Sequence, residues 1–301
     1  MISLISLILQ KLRQSILAFL GLDAFGIRQG ILLTRSLENR SYPDISEAEF
    51  KIFSQFGEDG IIQYLLKHVP IENRTFIEFG VEDFMESNCR FLMMKDNWQG
   101  FVIDGSERNI GRLKESYFYW MHELQAKQAF ITKENVNDLL SESGFDSDLG
   151  ILSIDIDGVD YFVWDAISYY KPRILIMEYN ANFGAERKIT IPYRADFQRT
   201  KAHSSNLLWG SSLAALESLS RDKGYALVGV NSSGNNAFFV REDLIAAPLQ
   251  RLNASEAFRP SLYRESRDPK GKLSHVSYKD RAAFLKGSLV FNVETEEIEK
   301  L

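Results

Sequence analysis

Cysteine occurs once in this 301-residue chain, at Cys89, so no internal disulfide can form and no multi-thiolate site can hold zinc. A reducing, cytoplasmic setting is expected, with peripheral contact at the inner face of a membrane left open. Clustered basic residues are missing too. With 35 Lys and Arg against 41 Asp and Glu, the net charge is −6, and the electrostatic footprint of a nucleic-acid binder is absent. No nucleic-acid partner is expected. No apolar run reaches the roughly 18 residues that a membrane span needs, and there is neither an internal repeat nor a low-complexity segment. Histidine is scarce, with four residues, which narrows the choice of a neutral-pH base. The hydrophobic share of 45% is that of an ordinary globular protein, and a chain of this length can bury a full-sized core.

What is present centres on residues 75–83, Thr-Phe-Ile-Glu-Phe-Gly-Val-Glu-Asp, a short apolar run closed by an acidic turn. Bounded in this way, it predicts a buried parallel strand, the first of a nucleotide-type α/β sheet. Ligands of open α/β sheets bind beyond the carboxyl ends of such strands, which sets Glu78, Gly80, Glu82 and Asp83 beside the ligand. A pyrophosphate needs several glycines to admit it to backbone N–H groups, whereas this loop has one glycine and three carboxylates. Carboxylates repel phosphate and attract a sulfonium, so the loop favours S-adenosylmethionine over NAD or ATP. A plain strand ending in a solvated acidic turn has the same local sequence.

Residues 1–22 gather nearly all their apolar side chains on one half of a helix, with Ser3, Ser6, Gln10, Arg13 and Gln14 opposite. This predicts an amphipathic helix, and residues 2–22 can pack internally, pair with a second copy or lie on a membrane surface. The Tyr42-Pro43 pair marks a break. The chain divides into an N-terminal extension over 1–45, a Rossmann-like domain over 46–245 and a C-terminal extension over 246–301. Within the domain, Ser87 and Asn88 open a helix carrying Phe91, Leu92 and Met93. A second strand over 98–103 runs into Asp104-Gly105-Ser106. An acidic residue there accepts hydrogen bonds from ribose hydroxyls in Rossmann-like folds, which makes Asp104 the ribose ligand.

A third strand is expected over 124–132, with Thr132, Glu134 and Asn135 in an exit loop beside an adenine ring. The fourth, over 149–156, leads through Asp155-Ile156-Asp157-Gly158. Alternate residues of a strand face opposite ways, so Asp155 and Asp157 are expected on opposite sides. The fifth, over 173–178, ends in Glu178-Tyr179-Asn180. A loop over 181–208 carrying Glu186, Arg187, Tyr193 and His203 is long enough to be a substrate-binding loop. Two apolar runs, 225–230 and 237–240, flank Asn231-Ser232-Ser233-Gly234-Asn235-Asn236 and predict an antiparallel hairpin. From about residue 246 the chain is polar and irregular.

Taken in order, Ser54-Gln55-Phe56-Gly57-Glu58-Asp59, Phe76-Ile77-Glu78-Phe79-Gly80 and Ile154-Asp155-Ile156-Asp157-Gly158 resemble the FkbM-like branch of S-adenosylmethionine-dependent methyltransferases. Glu178-Tyr179-Asn180 and residues 235–241 are similar to a related set of uncharacterised sequences. The resemblance covers roughly residues 54–243. It implies an α/β fold of the class I methyltransferase kind, a doubly wound, mostly parallel sheet with a C-terminal antiparallel hairpin. It also implies O-methylation of a sugar or polyketide hydroxyl, with a small-molecule or glycan substrate. By this resemblance Gln55 and Gly80 contact the methionine portion, Asp104 the ribose, and Asp155 or Asp157 the region near the methyl group. With the neighbouring loop positions, the expected cofactor contacts are Gln55, Glu78, Gly80, Asp83, Asn88, Asp104, Gly105 and Asp155.

Two routes remain for removing the acceptor's proton. In one, Asp157, Glu178 and Asn180 hold Mg²⁺ through oxygen ligands, an arrangement similar to that of catechol-type O-methyltransferases. In the other, His203 is the general base, the best placed of the four histidines. Asp157 and His203 are therefore the candidate catalytic residues. A metal-dependent, hydroxylase-like enzyme on the same scaffold and an inactive membrane-associated interaction module are the alternatives.

Overall fold

The computed structural model describes residues 21–263 and 265–301. The amphipathic helix expected over 1–22 therefore lies, apart from its last two residues, outside the described residues. The centre of the molecule is a seven-stranded sheet in the order β3-β2-β1-β4-β5-β8-β7. Its parallel strands are β1 (Thr75–Phe79), β2 (Gln99–Asp104), β3 (Leu124–Gln128), β4 (Ile151–Ile154) and β5 (Ile174–Glu178). The hairpin of β7 (Tyr225–Val230) and β8 (Asn236–Arg241) completes it, with β8 antiparallel to both β5 and β7. This is the class I methyltransferase-like sheet with its terminal hairpin that the sequence predicts.

The sheet is apolar on both faces. Ile77, Phe79, Ile103, Leu152, Ile154, Leu175 and Met177 pack into one core layer, while Phe76, Val102, Ile151, Ile174 and Ile176 pack into the other. This double burial is why the strands read as continuous apolar runs, without the alternation of a half-exposed sheet.

Register fixes where a ligand can sit. Phe79 pairs with both Ile103 and Ile154, and Ile154 pairs with Met177. The residues that follow, Gly80, Asp104, Asp155 and Glu178, thus lie along one rim of the sheet. The strand order reverses direction between β1 and β4, and a crevice opens there outside the carboxyl ends.

Several elements depart from the sequence expectation. A helix, Leu22–Ser36, occupies the stretch whose pattern is mixed. It contains Gly26 and Gly30, residues that lower helix propensity. Gly30 has a packing reason, since a Cβ there would meet the Phe91 ring at 2.3 Å. Strand β3 stops at Gln128, short of residue 132. The long 181–208 segment is not structureless. It holds a 3₁₀ turn (Ala181–Phe183), β6 (Ile189–Thr190) and a short helix (Arg199–Ala202). Strand β6 belongs to a second, antiparallel sheet in the order β10-β9-β6, built with β9 (Leu289–Asn292) and β10 (Glu297–Lys300). The polar C-terminal stretch is thus tied to the main domain, and Leu285 and Val290 are buried in its larger core.

Candidate functional site

The Gln55 loop is shaped by the two carboxylates that follow it. Asp59 Oδ2 accepts from the backbone N–H groups of Ile52, Phe53 and Ser54 at 2.7–2.8 Å, and from Ser54 Oγ at 2.9 Å. Glu58 Oε2 accepts from Phe56 N and Gly57 N, both at 2.9 Å. Its other oxygen, Oε1, takes hydrogen bonds from Asn231 Nδ2 at 2.6 Å and Asn236 Nδ2 at 2.9 Å, at the root of the β7–β8 turn. Every acidic oxygen in these bonds satisfies a donor that would otherwise be buried without a partner. The loop is held rigidly, with Gln55 on the wall of the crevice.

At the end of β1, Gly80 turns the chain in the left-handed region with φ +73°, and its N–H donates to Ile103 O at 2.9 Å. A Cβ there would lie 1.6 Å from the Asp155 carbonyl oxygen, so only glycine lets β1 and β4 close at this rim. Glu78 is a structural wall of the crevice. Its carboxylate accepts from Ser87 Oγ at 2.7 Å, Asn88 N at 2.8 Å and Cys89 N at 3.1 Å. Burial pushes the Glu78 carboxyl above its ordinary range, and burial with the adjacent Glu78 charge pushes the Cys89 thiol up further. The Asn88 side chain donates to Ser153 Oγ at 3.1 Å. Asp104 accepts from Glu82 N at 2.8 Å on one oxygen and from Ser106 N at 2.7 Å on the other. These bonds orient a buried carboxylate at the crevice, with accepting capacity left on both oxygens.

The acidic end is built by Asp160. Its two oxygens accept from Ile156 N and Gly158 N, both at 2.9 Å, and Asp157 adopts φ +56° in the turn they hold. Burial pushes the Asp160 carboxyl up to about 6, against the pull of those backbone hydrogen bonds. Because β4 ends at Ile154, strand alternation no longer applies beyond it. This corrects the expectation that Asp155 and Asp157 face apart. Together with Glu178 they present oxygens that all lie within 4.8 Å of one another. Burial, reinforced by the neighbouring carboxylates, pushes the Asp155 and Glu178 carboxyls well above the usual range.

Around these groups lies a cleft of about 520 Å³. Its described lining includes eight carboxylates (Glu78, Glu82, Glu86, Asp104, Asp155, Asp157, Glu178 and Glu265) and one basic side chain, Arg199. Arg199 Nη1 meets Asp157 Oδ1 at 2.5 Å, Nη2 approaches Glu265 at 3.5 Å, and the guanidinium stacks 4.7 Å from the Trp209 ring. Four polar atoms of lining residues are buried without a hydrogen-bond partner: Glu178 Oε2, Asn182 Oδ1, Trp209 Nε1 and Asn236 Oδ1. Such atoms are costly unless a ligand or water satisfies them.

Of the expected site residues, Gln55, Glu78, Gly80, Asn88, Asp104, Gly105, Asp155, Asp157, Glu178 and Asn180 line the cleft. Others are corrected. Asp83 is outside the lining and lies 3.9 Å from Arg112, while its neighbour Glu82 takes the place at the rim. His203 is outside as well, its Nδ1 bound to Ser205 Oγ at 2.7 Å. The Asn180 amide lines the cleft with its side chain engaged, donating to Leu207 O and Trp209 O and accepting from Asn182, and the carboxylates that cluster beside it are Asp155, Asp157 and Glu178. Ala129, Phe130 and Ile131, just past β3, line the cleft in place of Thr132, Glu134 and Asn135. Phe197, Arg199, Trp209, Tyr263 and Glu265 were not singled out. The length of the 181–208 loop points to Arg199 and Phe197, while nothing local in the sequence marks Tyr263 or Glu265.

The rim and the acidic cleft define an α/β protein of class I methyltransferase-like architecture. No family model and no curated protein matches the chain. Among solved structures, it is similar to the N-terminal domain of EvdMO1 with SAH bound, at 9% identity over 69% of this chain and 92% of that one, with a TM-score of 0.40. It is similar to DszA carbon methyltransferase at 14% identity over 62% of this chain and 53% of that one, TM-score 0.39. An O-methyltransferase family protein from Burkholderia thailandensis is similar at 10% identity over 61% and 58%, TM-score 0.37. The chain spans a little over half the length of the last two.

Proposed function

We propose that this protein is an S-adenosylmethionine-dependent O-methyltransferase acting on a hydroxyl of a sugar or glycan. The observation that carries the reading is the acidic cleft at the strand-order reversal, with the fixed Asp104 carboxylate at the tip of β2. The cofactor's sulfonium and ammonium suit this field, and a phosphate-bearing cofactor does not. Asp104 is assigned to the ribose hydroxyls, Phe130 and Ile131 to the adenine, and Gln55 and Gly80 to the methionine end. When bound, the cofactor supplies an electrophilic methyl group. The motif resemblance to the FkbM-like branch supports the sugar or polyketide type of acceptor.

Proton removal from the acceptor is assigned to the Asp155, Asp157 and Glu178 cluster, which lines the cleft, whereas His203 lies outside the lining. One carboxylate of the cluster can take the hydroxyl proton directly. The same oxygens fit Mg²⁺, which favours an all-oxygen donor set, and the unpartnered Glu178 Oε2 agrees with that fit. A bound Mg²⁺ would acidify the hydroxyl there. Calorimetry with S-adenosylhomocysteine tests the central reading. Micromolar binding by the wild type and at least about tenfold weaker binding by Asp104→Ala are expected. No binding at millimolar ligand sinks the reading. Methyl transfer that stops with a chelator and returns with Mg²⁺ selects the metal route, whereas unaffected transfer selects the carboxylate base.

A further inference from the structure

The two ends of the cleft differ in how their polar groups are satisfied. At the β1–β2 end, both oxygens of Glu78 and both of Asp104 accept hydrogen bonds. The four unpartnered buried atoms of the described lining, Glu178 Oε2, Asn182 Oδ1, Trp209 Nε1 and Asn236 Oδ1, all belong to the β5–β8 end. Glu178 closes β5 and pairs in register with Asn236, the first residue of β8. Asn180, two residues past Glu178, accepts from Asn182 on its Oδ1 and donates through its Nδ2 to the Trp209 carbonyl. Strands β2 and β8 are four positions apart in the sheet. At about 4.8 Å per strand, that sets the two ends about 19 Å apart along the rim. A cofactor held at Asp104 and Gly80, on β2 and β1, leaves the β5–β8 end to the acceptor.

The atoms left over there are of both kinds. Asn236 Nδ2 donates to Glu58 Oε1 at 2.9 Å and Asn182 Nδ2 to Asn180 Oδ1 at 2.8 Å, so each amide is fixed with an unpartnered oxygen that can only accept. Trp209 Nε1 can only donate. Trp209 and Asn236 are 7% and 3% exposed, so bulk solvent does not complete either. An ammonium only donates and would leave the indole N–H unsatisfied. A carboxylate or phosphate mainly accepts and would leave both amide oxygens unsatisfied. It would also face eight carboxylates and a single guanidinium, which Asp157 and Glu265 already hold. A hydroxyl both donates and accepts. The exposed Tyr263 ring and the half-buried Phe197 ring add apolar surface to the cleft, suited to the C–H face of a sugar. We propose, resting on the methyltransferase reading above, that the β5–β8 end is the acceptor subsite and takes an uncharged sugar ring. Trp209 Nε1 donates to one of its oxygens, and Asn182 Oδ1 and Asn236 Oδ1 accept from its hydroxyls.

Nuclear magnetic resonance of the full chain carrying ¹⁵N-labelled tryptophan tests this. The chain has four tryptophans, and the resonance missing from Trp209→Phe is the indole N–H of interest. The probes are methyl glucoside, galactoside and mannoside, each beside its uronate, 6-phosphate and 2-amino counterparts, with S-adenosylhomocysteine present. At least one neutral glycoside should shift the Trp209 resonance, and its charged counterparts should bind at least about tenfold more weakly. Trp209→Phe keeps an aromatic ring and the carbonyl that Asn180 holds. By saturation transfer it should weaken that glycoside about three- to tenfold, while calorimetry finds S-adenosylhomocysteine bound as in the wild type. The proposal is overturned if no neutral glycoside moves the resonance, if a charged counterpart moves it as strongly, or if Trp209→Phe weakens S-adenosylhomocysteine in place of the glycoside. Should S-adenosylhomocysteine itself fail to bind, the methyltransferase reading falls, whereas a Trp209 shift with the neutral glycosides alone still upholds the sugar subsite.

Discussion

Asp160 lies under the cleft rather than on it, yet it sets the geometry of the acidic end through its bonds to Ile156 N and Gly158 N. Its carboxyl rises from 3.8 to about 6 on folding because burial disfavours the charge. The folded state therefore binds the proton more tightly than the unfolded chain. That contribution is complete below about pH 4 and is lost as the pH rises through 6. Relative to Asp160→Asn, the wild type should lose about 3 kcal/mol of stability across this window, measured by denaturant melts at stepped pH. Asp104 and Asp83 make a sharper pair, since both sit in acidic turns and only Asp104 lines the cleft. Asp104→Ala should weaken S-adenosylhomocysteine binding and cost about 1–3 kcal/mol by orphaning two amides, whereas Asp83→Ala should leave calorimetric affinity unchanged. Asp104 was legible because strand-end chemistry is local. The error at Asp83 and His203 is of another kind, since side-chain direction past a strand end depends on turns that the sequence does not display. Arg199 holds Asp157, and Arg199→Gln should free that carboxylate and raise Mg²⁺ affinity several-fold by titration calorimetry.

Among the elements, Gly80 shows why the β1 turn carries a single glycine. Its positive φ and the 1.6 Å approach of the Asp155 carbonyl to a would-be Cβ leave no room for a side chain. Gly80→Ala should cost at least about 2 kcal/mol and lower the melting temperature by several degrees, with cofactor binding impaired together with stability. Four of the five parallel strands, β1, β2, β4 and β5, could be found from the sequence because burial on both faces makes each a short apolar run between turn residues, whereas β3 is polar and half exposed. The helix Leu22–Ser36 could not, since two glycines and a bare apolar side blur its periodicity. Strands β9 and β10 were hidden for a different reason. They are short, and the ladder that includes them needs Ile189 and Thr190, a hundred residues earlier in the chain.

Across the whole molecule, the C-terminal stretch is part of the fold. Val290 is fully buried, and β9 covers the β6 edge from which the cleft loop departs. Val290→Asp should destabilise the protein by about 3 kcal/mol or more, read as a lowered unfolding midpoint, because it places an unpaired charge in a core. The clamp between Glu58 and the β7–β8 turn spans 178 residues from Glu58 to Asn236. During synthesis, the Gln55 loop leaves the ribosome long before the asparagines that lock it. A nascent chain that has completed β1 to β5 thus holds Asp104 but lacks the brace for the Gln55 loop. Ligand affinity should appear late in translation, when residue 236 has cleared the exit tunnel and the hairpin has closed.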